Sequence, residues 1–254
     1  MSSLEVIALQ GLPMIGAGDD LAERIESALR LNGVMLRPGD VLVVAQKIVS
    51  KAEGCVIDLA TIEPSAEAIA LAADVDKDPR LVEVILSESV RVVRARQGVL
   101  IVEHRLGFIM ANAGVDQSNV GTADGSHRVL LLPENPDRSA QTLRRGLKAA
   151  TGTDVAVVIN DSFGRPWRQG TASVAIGVAG LPALIDLQGR PDLFGRKLEV
   201  SVIGFADEVA AAASLLMGQA DEALPAVLIR GLRWSAPEST AASIVRSPKE
   251  DLFR

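Results

Sequence analysis

Apolar residues fall into short β-branched runs separated by longer amphipathic stretches, so the chain reads as strands interleaved irregularly with helices. Leu4 to Leu9 predicts an opening strand, and Asp40 to Ala45 (Asp-Val-Leu-Val-Val-Ala) a buried one. Val90 to Val93 and Val99 to Glu103 predict a hairpin around Arg96-Gln97-Gly98. Asp154 to Asn160 is the clearest buried strand, and Leu198 to Ile203 and Ala226 to Ile229 follow the same type. Among the helices, Asp19 to Leu31 starts at Gly18-Asp19-Asp20 and carries apolar positions at Leu21, Ile25, Ala28 and Leu29. Further helices are predicted over Ser65 to Asp74, Pro79 to Ser87 and Ala206 to Met217, the last ended by Gly218. Ser139 to Thr151 is also helical, with Ser139 as N-cap and Gly152 as the stop. This order neither repeats βαβ units nor segregates the two element types, which predicts an α+β fold with two lobes. No repeat, charge block or Ser/Gly linker marks the boundary between them.

Composition narrows the class. With 254 residues, 48% of them hydrophobic, the chain can bury a sizeable core and is not a disordered protein. A net charge of −6 gives no overall attraction to nucleic acid or anionic lipid, although a local phosphate pocket is compatible with it. No run approaches the ~18 apolar residues of a membrane helix, and Met-Ser-Ser-Leu-Glu-Val lacks the basic and apolar regions of a signal peptide. The expectation is a cytoplasmic globular protein with neither a membrane nor a nucleic acid as partner. A single cysteine, Cys55, excludes an intramolecular disulfide and a thiolate metal cage; it is expected as a small buried residue. His104 and His127 are too few for a histidine-rich metal site and are expected as surface or satisfied residues.

Two polar stretches carry candidate chemistry. In Gly107 to Val120, the side chains of Asn112, Asp116, Ser118 and Asn119 follow an apolar strand. Their oxygens are what Mg²⁺ or Mn²⁺ takes, through one or two carboxylates plus nucleotide phosphates, though the same residues also make ordinary turns. In Asn160 to Arg168, a buried strand ends in Asp161-Ser162 and runs into a Gly164-Arg165-Pro166 turn. There an aspartate suits a metal, and Arg165 and Arg168 offer forked donors; the competing reading is a helix N-cap with surface arginines. Gln46 to Gly54 follows a buried strand and presents Lys47 and Lys51 either to phosphate or to solvent. Walker A, Gly-x-Gly-x-x-Gly and Gly-x-Ser-x-Gly patterns are absent. The residues alone therefore point to metal-dependent phosphoryl chemistry.

Taken together and in order, the segments resemble the coenzyme F420-0:γ-glutamyl ligase family. The matching stretches are Gly-Leu-Pro-Met-Ile (11–15), Gly-Asp-Asp-Leu (18–21), Asp-Val-Leu-Val-Val-Ala-Gln-Lys-Ile-Val-Ser-Lys-Ala-Glu-Gly (40–54) and Ala-Asn-Ala-Gly-Val-Asp-Gln-Ser-Asn-Val (111–120). Leu-Leu-Pro-Glu-Asn-Pro-Asp-Arg-Ser-Ala (131–140), Asn-Asp-Ser-Phe-Gly-Arg-Pro-Trp-Arg-Gln-Gly (160–170) and Gly-Arg-Pro-Asp-Leu-Phe-Gly-Arg-Lys-Leu-Glu-Val (189–200) follow. Ala-Asp-Glu-Val-Ala-Ala-Ala-Ala-Ser-Leu-Leu-Met-Gly-Gln (206–219) and Pro-Ala-Val-Leu-Ile-Arg-Gly-Leu (225–232) complete the set, which spans nearly the whole chain. The chain is expected to be a single-module ligase, without the flavin-type domain of longer actinobacterial relatives.

The resemblance implies a two-lobed α+β fold with mixed sheets, assembled as an intertwined homodimer. Residues 1–90 with 196–254 would form a nucleotide-binding lobe, and 91–195 an inserted metal and substrate lobe. It implies a GTP-dependent ligase that adds L-glutamate to coenzyme F420-0 and then, γ-linked, to F420-1. The route would be an acyl phosphate, with GDP and phosphate released. Divalent ions, Mg²⁺ or Mn²⁺ at two sites, would be held by Asp116, Asp161, Ser162 and Gln219, with a K⁺ ion suggested by the family alone. Nucleotide contacts would fall on Leu12, Pro13, Met14, Ile15, Gln46, Lys47, Lys51, Asn119, Gly218 and Gln219, the last two in a stretch running from Leu215 to Glu222. Asp116, Asp161 and Lys51 take the catalytic roles, and the placement of Arg165 beside phosphate is an inference from its turn. Gln46 and Lys47 stand where relatives often carry small hydroxyl residues, and Gln219 where some carry glutamate. Phe108, Phe163 and Trp167 are candidates to stack on the deazaflavin. The rival functions are a ligase of the same mechanism on another acid and an inactive nucleotide-binding scaffold.

Overall fold

The computed structural model describes residues 3–120 and 127–252. The chain opens with β1 (Glu5–Ala8), α1 (Leu21–Leu31), β2 (Val41–Ala45), α2 (Gln46–Ala52) and β3 (Val56–Asp58). It continues through α3 (Ala66–Val75), α4 (Pro79–Ser87), β4 (Ser89–Arg96), β5 (Val99–His104), β6 (Ile109–Ala111) and β7 (Arg128–Leu130). Then come α5 (Pro136–Thr151), β8 (Ala156–Arg165), β9 (Arg168–Ala179), β10 (Ile185–Asp186), β11 (Val202–Ile203), α6 (Phe205–Met217) and β12 (Ala226–Arg230). Single 3₁₀ turns lie at Leu59–Thr61, Asn112–Gly114 and Ala241–Ile244. The result is a mixed α/β structure with several sheets, as the irregular alternation predicts.

The central sheet has five strands in the order β1-β12-β2-β8-β9. Only β2 and β8 run parallel; every other neighbouring pair in it is antiparallel. Both faces of the sheet are covered, which explains why β2 and β8 read as unbroken apolar runs. On one face Leu42, Val44, Val157 and Ile159 pack under α1 and α5; on the other Val41, Val43, Val158 and Val227 pack under α6. A third core, drawn from Leu59 to Val129, packs α3 and α4 on the antiparallel sheet β4-β5-β6. The segment 91–195 thus supplies β5 and β6 to this smaller unit and β8 and β9 to the central sheet.

Local signals place most elements. Asp20 caps α1 by accepting from the amides of Ala22 and Glu23, and Ser65 caps α3 through Ala68. α5 begins before Ser139: Asn135 accepts from the Arg138 amide and Pro136 takes the first helical position, a stronger start than Ser139. Ser139 instead lies within the first turn and donates its hydroxyl to Glu53. The predicted strand over Leu198 to Ile203 shrinks to Val202–Ile203, because Gly189 and Arg190 fold the preceding segment back onto Leu198. That excursion leaves Leu193 and Phe194 99% and 95% exposed. Neither α2 nor β9 is evident in the apolar pattern. β9 is built of small residues and exists because it pairs along the full length of β8. β8 also runs beyond Asp161, to Arg165, where Pro166 and a left-handed Trp167 (φ 64°) turn the chain into β9.

One buried ion pair fixes the entry to the sheet. Arg230, at the end of β12, donates to both carboxylate oxygens of Asp40 at 2.9 and 2.8 Å, and to the Met35 carbonyl at 2.8 Å. The Asp40 side chain is 1% exposed, so removing its partner strands a charge in the interior. Arg230→Ala is therefore expected to cost about 3–5 kcal/mol of folding stability. Urea unfolding would measure it, and an unchanged midpoint would contradict this account of the pair.

Candidate active site

The parallel pairing of β2 with β8 ends at Ala45 opposite Asn160. Beyond the carboxyl ends of parallel strands the backbone opens into a crevice, the usual place for ligands in α/β sheets. Here α2 leaves from β2, Asp161 is the first residue of β8 past the shared pairing, and β12 arrives from the opposite direction. β1 delivers residues 11–15 to the same edge, because it too is antiparallel to β12. The four segments enclose a cleft of about 410 Å³ lined by Leu12–Ile15, Ala45–Ile48, Lys51, Asn119, Asn160, Asp161 and Met217–Pro225.

The smaller unit reaches this cleft through the segment after β6. Asn112, Ala113 and Gly114 all take left-handed backbone conformations (φ 52°, 52° and 69°). Ala113 is fully buried in the third core, and a Cβ on Gly114 would lie 2.9 Å from both Leu132 and Met110. The turn is thus held by packing despite its strain, and it hands the chain to Asp116, which bridges to Leu130. Lys47 Nζ lies 2.8 Å from Asp116 Oδ2 and donates to Ser118 Oγ at 2.6 Å. The Ser118 amide donates to Asp116 Oδ1 at 2.7 Å. Lys51 Nζ donates to the Asn119 carbonyl at 2.6 Å, and Asn119 donates through Nδ2 to the Ala220 carbonyl at 3.3 Å.

The two aspartates titrate in opposite directions. Burial raises the Asp116 carboxyl, but the bond from Lys47 and the donors of Ser118 outweigh it and leave it below the usual range. Asp161 accepts from the Ser162 amide at 2.8 Å, and among the described residues no cation stands within ion-pair distance of it. Burial, with the nearby negative charge of Asp116, pushes it up to about 6 in spite of that amide and the more distant Lys47. Lys51 is lowered by burial first and by the charge of Lys47 second. Ser162 donates its hydroxyl to Gln219 Oε1 at 2.7 Å, joining β8 to the segment after α6.

The oxygens of Asp116, Asp161, Ser162 and Gln219 are hard donors of the kind Mg²⁺ or Mn²⁺ prefers. Among the described residues no cluster of three or more His, Cys, Asp or Glu forms a ready cage. An ion here would complete its shell with water and ligand phosphates, the common arrangement at nucleotide sites. The half-buried, cation-free Asp161 suits such an ion, which would relieve its desolvation.

All ten of the expected nucleotide contacts meet in the cleft: Leu12 to Ile15, Gln46, Lys47, Lys51, Asn119, Gly218 and Gln219 line it. Gln46 does so with its side-chain carbonyl already bound to the Ser50 hydroxyl. Arg165 does not line the cleft; it sits at the end of the β8–β9 hairpin and donates to the Gln169 carbonyl at 3.1 Å. Phe108 and Phe163 pack edge to face on each other at 5.7 Å against the first core, whereas Trp167 is 88% exposed. Asn160 and Met217, from two of the candidate stretches, line the cleft as well, and Ala223 to Pro225 are cleft residues to which the sequence assigns no role. Only the pairing of β12 beside β2 brings that stretch here, through the Ala45 amide on the Pro225 carbonyl at 2.8 Å. Cys55 is half-buried, its thiol raised by burial, and His104 is fully buried with Nδ1 accepting from the Leu106 amide. His127 is exposed. A second hollow of about 430 Å³ lies between α1 and α5. Its carboxylates are engaged: Asp20 caps α1, Asp19 pairs with Arg24 and Glu53 accepts from Ser139.

Comparison with known proteins gives a match over residues 11–231 to the family described as F420-0:Gamma-glutamyl ligase. The chain is 48% identical to the coenzyme F420:L-glutamate ligase of Methanothermobacter thermautotrophicus, over 99% of each chain. It is 46% identical to the Methanopyrus kandleri ligase of the same name over the full length of both chains. With the Archaeoglobus fulgidus ligase, again of the same name, identity is 44% over 99% of this chain and 96% of the relative.

The raised Asp161 has a consequence for the metal-free protein. A carboxyl with a higher pKa when folded binds its proton more tightly in the folded state, so its ionisation costs stability as pH rises through about 6. Asp161→Asn should therefore melt higher than the parent at pH 8 in the presence of a chelator. The gain should shrink as pH falls below about 6 and vanish near pH 4. Melting curves across that range test it, and a gain independent of pH would refute the assigned cause.

Proposed function

The chain belongs to the F420-0:γ-glutamyl ligase family, and from that membership we propose that it joins L-glutamate to coenzyme F420-0 at the expense of GTP. The observation that carries the GTP reading is one cleft at the ends of β2 and β8. There two lysines, a desolvated aspartate and polar backbone from residues 218–225 converge from distant parts of the chain.

Joining a carboxylate to an amine is uphill in water, so the carboxylate must first be activated. The γ-phosphoryl group of GTP passes to a carboxylate oxygen of F420-0, giving an acyl phosphate and GDP. The amine of L-glutamate then attacks the acyl carbon, the carbon–oxygen bond to phosphate breaks, and phosphate leaves as the amine gives up a proton. Such a transfer asks the protein chiefly for positioning and charge neutralisation. Asp116 and Asp161, with the Ser162 hydroxyl and the Gln219 amide oxygen, would hold the divalent ions. When bound, Mg²⁺ or Mn²⁺ offsets the negative charge of the phosphates. Lys51, half-buried and free of any carboxylate partner among the described residues, offers its ammonium to the same phosphates. Ile15 and Met217 give the cleft buried apolar walls that limit water around the activated group. Arg165 stays outside this scheme while Gln169 holds its guanidinium.

The family extends the reading to a second, γ-linked glutamate on F420-1, a K⁺ ion, a cytoplasmic setting and an intertwined homodimer. Supporting the last, Trp167, Leu193 and Phe194 are large apolar side chains at least 88% exposed, which a partner subunit would cover.

Mass spectrometry tests the activity. Protein incubated with F420-0, L-glutamate, GTP and Mn²⁺ should yield glutamyl additions that disappear when GTP is omitted. Asp161→Asn should lose about 100-fold or more in turnover, the scale expected for losing a metal that stabilises transferred charge. Parental turnover in that variant would sink the metal assignment, and additions without GTP would sink the nucleotide.

A further inference from the structure

Lys47 occupies the position in the cleft that a cation would seek. Its ammonium lies 2.8 Å from Asp116 Oδ2 and 2.6 Å from Ser118 Oγ, partners supplied by the smaller unit, Ser118 lying 71 residues further along the chain. The other Asp116 oxygen is already taken by the Ser118 amide. The lysine holds Oδ2, the oxygen that carries no bond from the Ser118 amide.

A structural latch would be expected to be buried and closed. This pair is neither, since the two side chains retain 29% and 32% of their exposure and Lys47 lines the open cleft. Nor is the lysine needed to hold the units together, because Lys51 on Asn119 and the Leu131 amide on Cys55 also join them. Lys47 sits on the first turn of α2 with a long flexible stem, and Lys51 is one helical turn further on, facing the same space. Burial lowers Lys51, and the nearby charge of Lys47 adds to that lowering. A divalent ion added to Asp116 with Lys47 in place would crowd a third cationic centre into the same corner.

We propose that Lys47 is the resident cation of Asp116 in the nucleotide-free protein and that nucleotide phosphates draw it away, making divalent-ion binding at Asp116 depend on nucleotide. This inference rests on the reading of Asp116 as a metal ligand. The phosphates supply the negative charge that lets Lys47 leave the carboxylate without losing an ionic partner. The vacated oxygen then meets the ion that the same phosphates bring. Metal and nucleotide thereby bind with positive coupling, which must be equal in both directions. The free protein is spared a stray ion, because its own lysine competes for the site.

The test is Mn²⁺ binding, followed by the electron paramagnetic resonance of free Mn²⁺, with and without GDP. Lys47→Met should tighten Mn²⁺ binding in the absence of GDP by about threefold to fivefold, the scale of a partly exposed ion pair. It should also shrink the enhancement that GDP gives in the parent protein. Lys47→Gln should behave alike, and circular dichroism would show that both variants are folded. Unchanged or weaker Mn²⁺ binding in folded Lys47 variants would overturn the exchange. Asp116→Asn separates the two readings. If it abolishes Mn²⁺ binding while the Lys47 variants change nothing, the exchange alone fails. If Asp116→Asn leaves Mn²⁺ binding intact, the metal assignment fails and the exchange falls with it.

Discussion

The parallel pairing of β2 with β8 is the constraint on which the rest of the molecule turns. Among the described residues it is the only parallel contact in the central sheet, and helices cover both faces of it. Parallel strands need a long crossover, and here the crossover from β2 to β8 contains the whole smaller unit, including its own core. The same pairing points two carboxyl ends at one edge. Polar side chains can gather there without breaking the ladder, because the ladder has just stopped.

That edge is a junction as well as a crevice. α2 leaves the sheet directly into it, and the segment after β6 returns to it from the smaller unit. The strained turn at residues 112–114 is tolerated because Ala113 is sealed in the third core and Gly114 leaves room for Leu132 and Met110. Packing energy in one unit thus places a carboxylate against a helix of the other. Asp116 and Asp161 then differ sharply in environment: one has a lysine and two hydrogen-bonding donors from Ser118, the other a single amide and burial. Two identical carboxyl groups acquire distinct affinities for protons from their surroundings alone.

The remaining polar links serve the architecture. Asp137 accepts from the amides of Val178 and Ala241, tying the start of α5 to β9 and the C-terminal segment. Arg144 bridges Asp154 and Glu238, with Lys148 on the same aspartate. Each satisfies backbone or charge, and none of these residues lines the cleft.

Much of this protein is written in local spacing. Period and caps fix α1, α3, α4 and α6 nearly to the residue, because a helix satisfies its hydrogen bonds within its own segment. The unbroken apolar runs of β2, β8 and β12 likewise announce strands buried on both faces. The motif residues carry enough chemistry to identify the family, and Asp116, Asp161, Lys47 and Lys51 stand out as candidates from their types and neighbours. What the linear pattern does not contain is partnership. β9 has small residues and no apolar rhythm, so it becomes a strand only because β8 offers it a ladder. Ser139 looks like a cap until Asn135-Pro136 outcompetes it, and Arg165 looks like a phosphate ligand until the hairpin claims it. The approach of Lys47 to Asp116, and of residues 218–225 to α2, depends on strand order across the sheet. Strand order is set by the total burial of three cores, a sum over contacts distant in sequence, and no window of neighbouring residues holds that information.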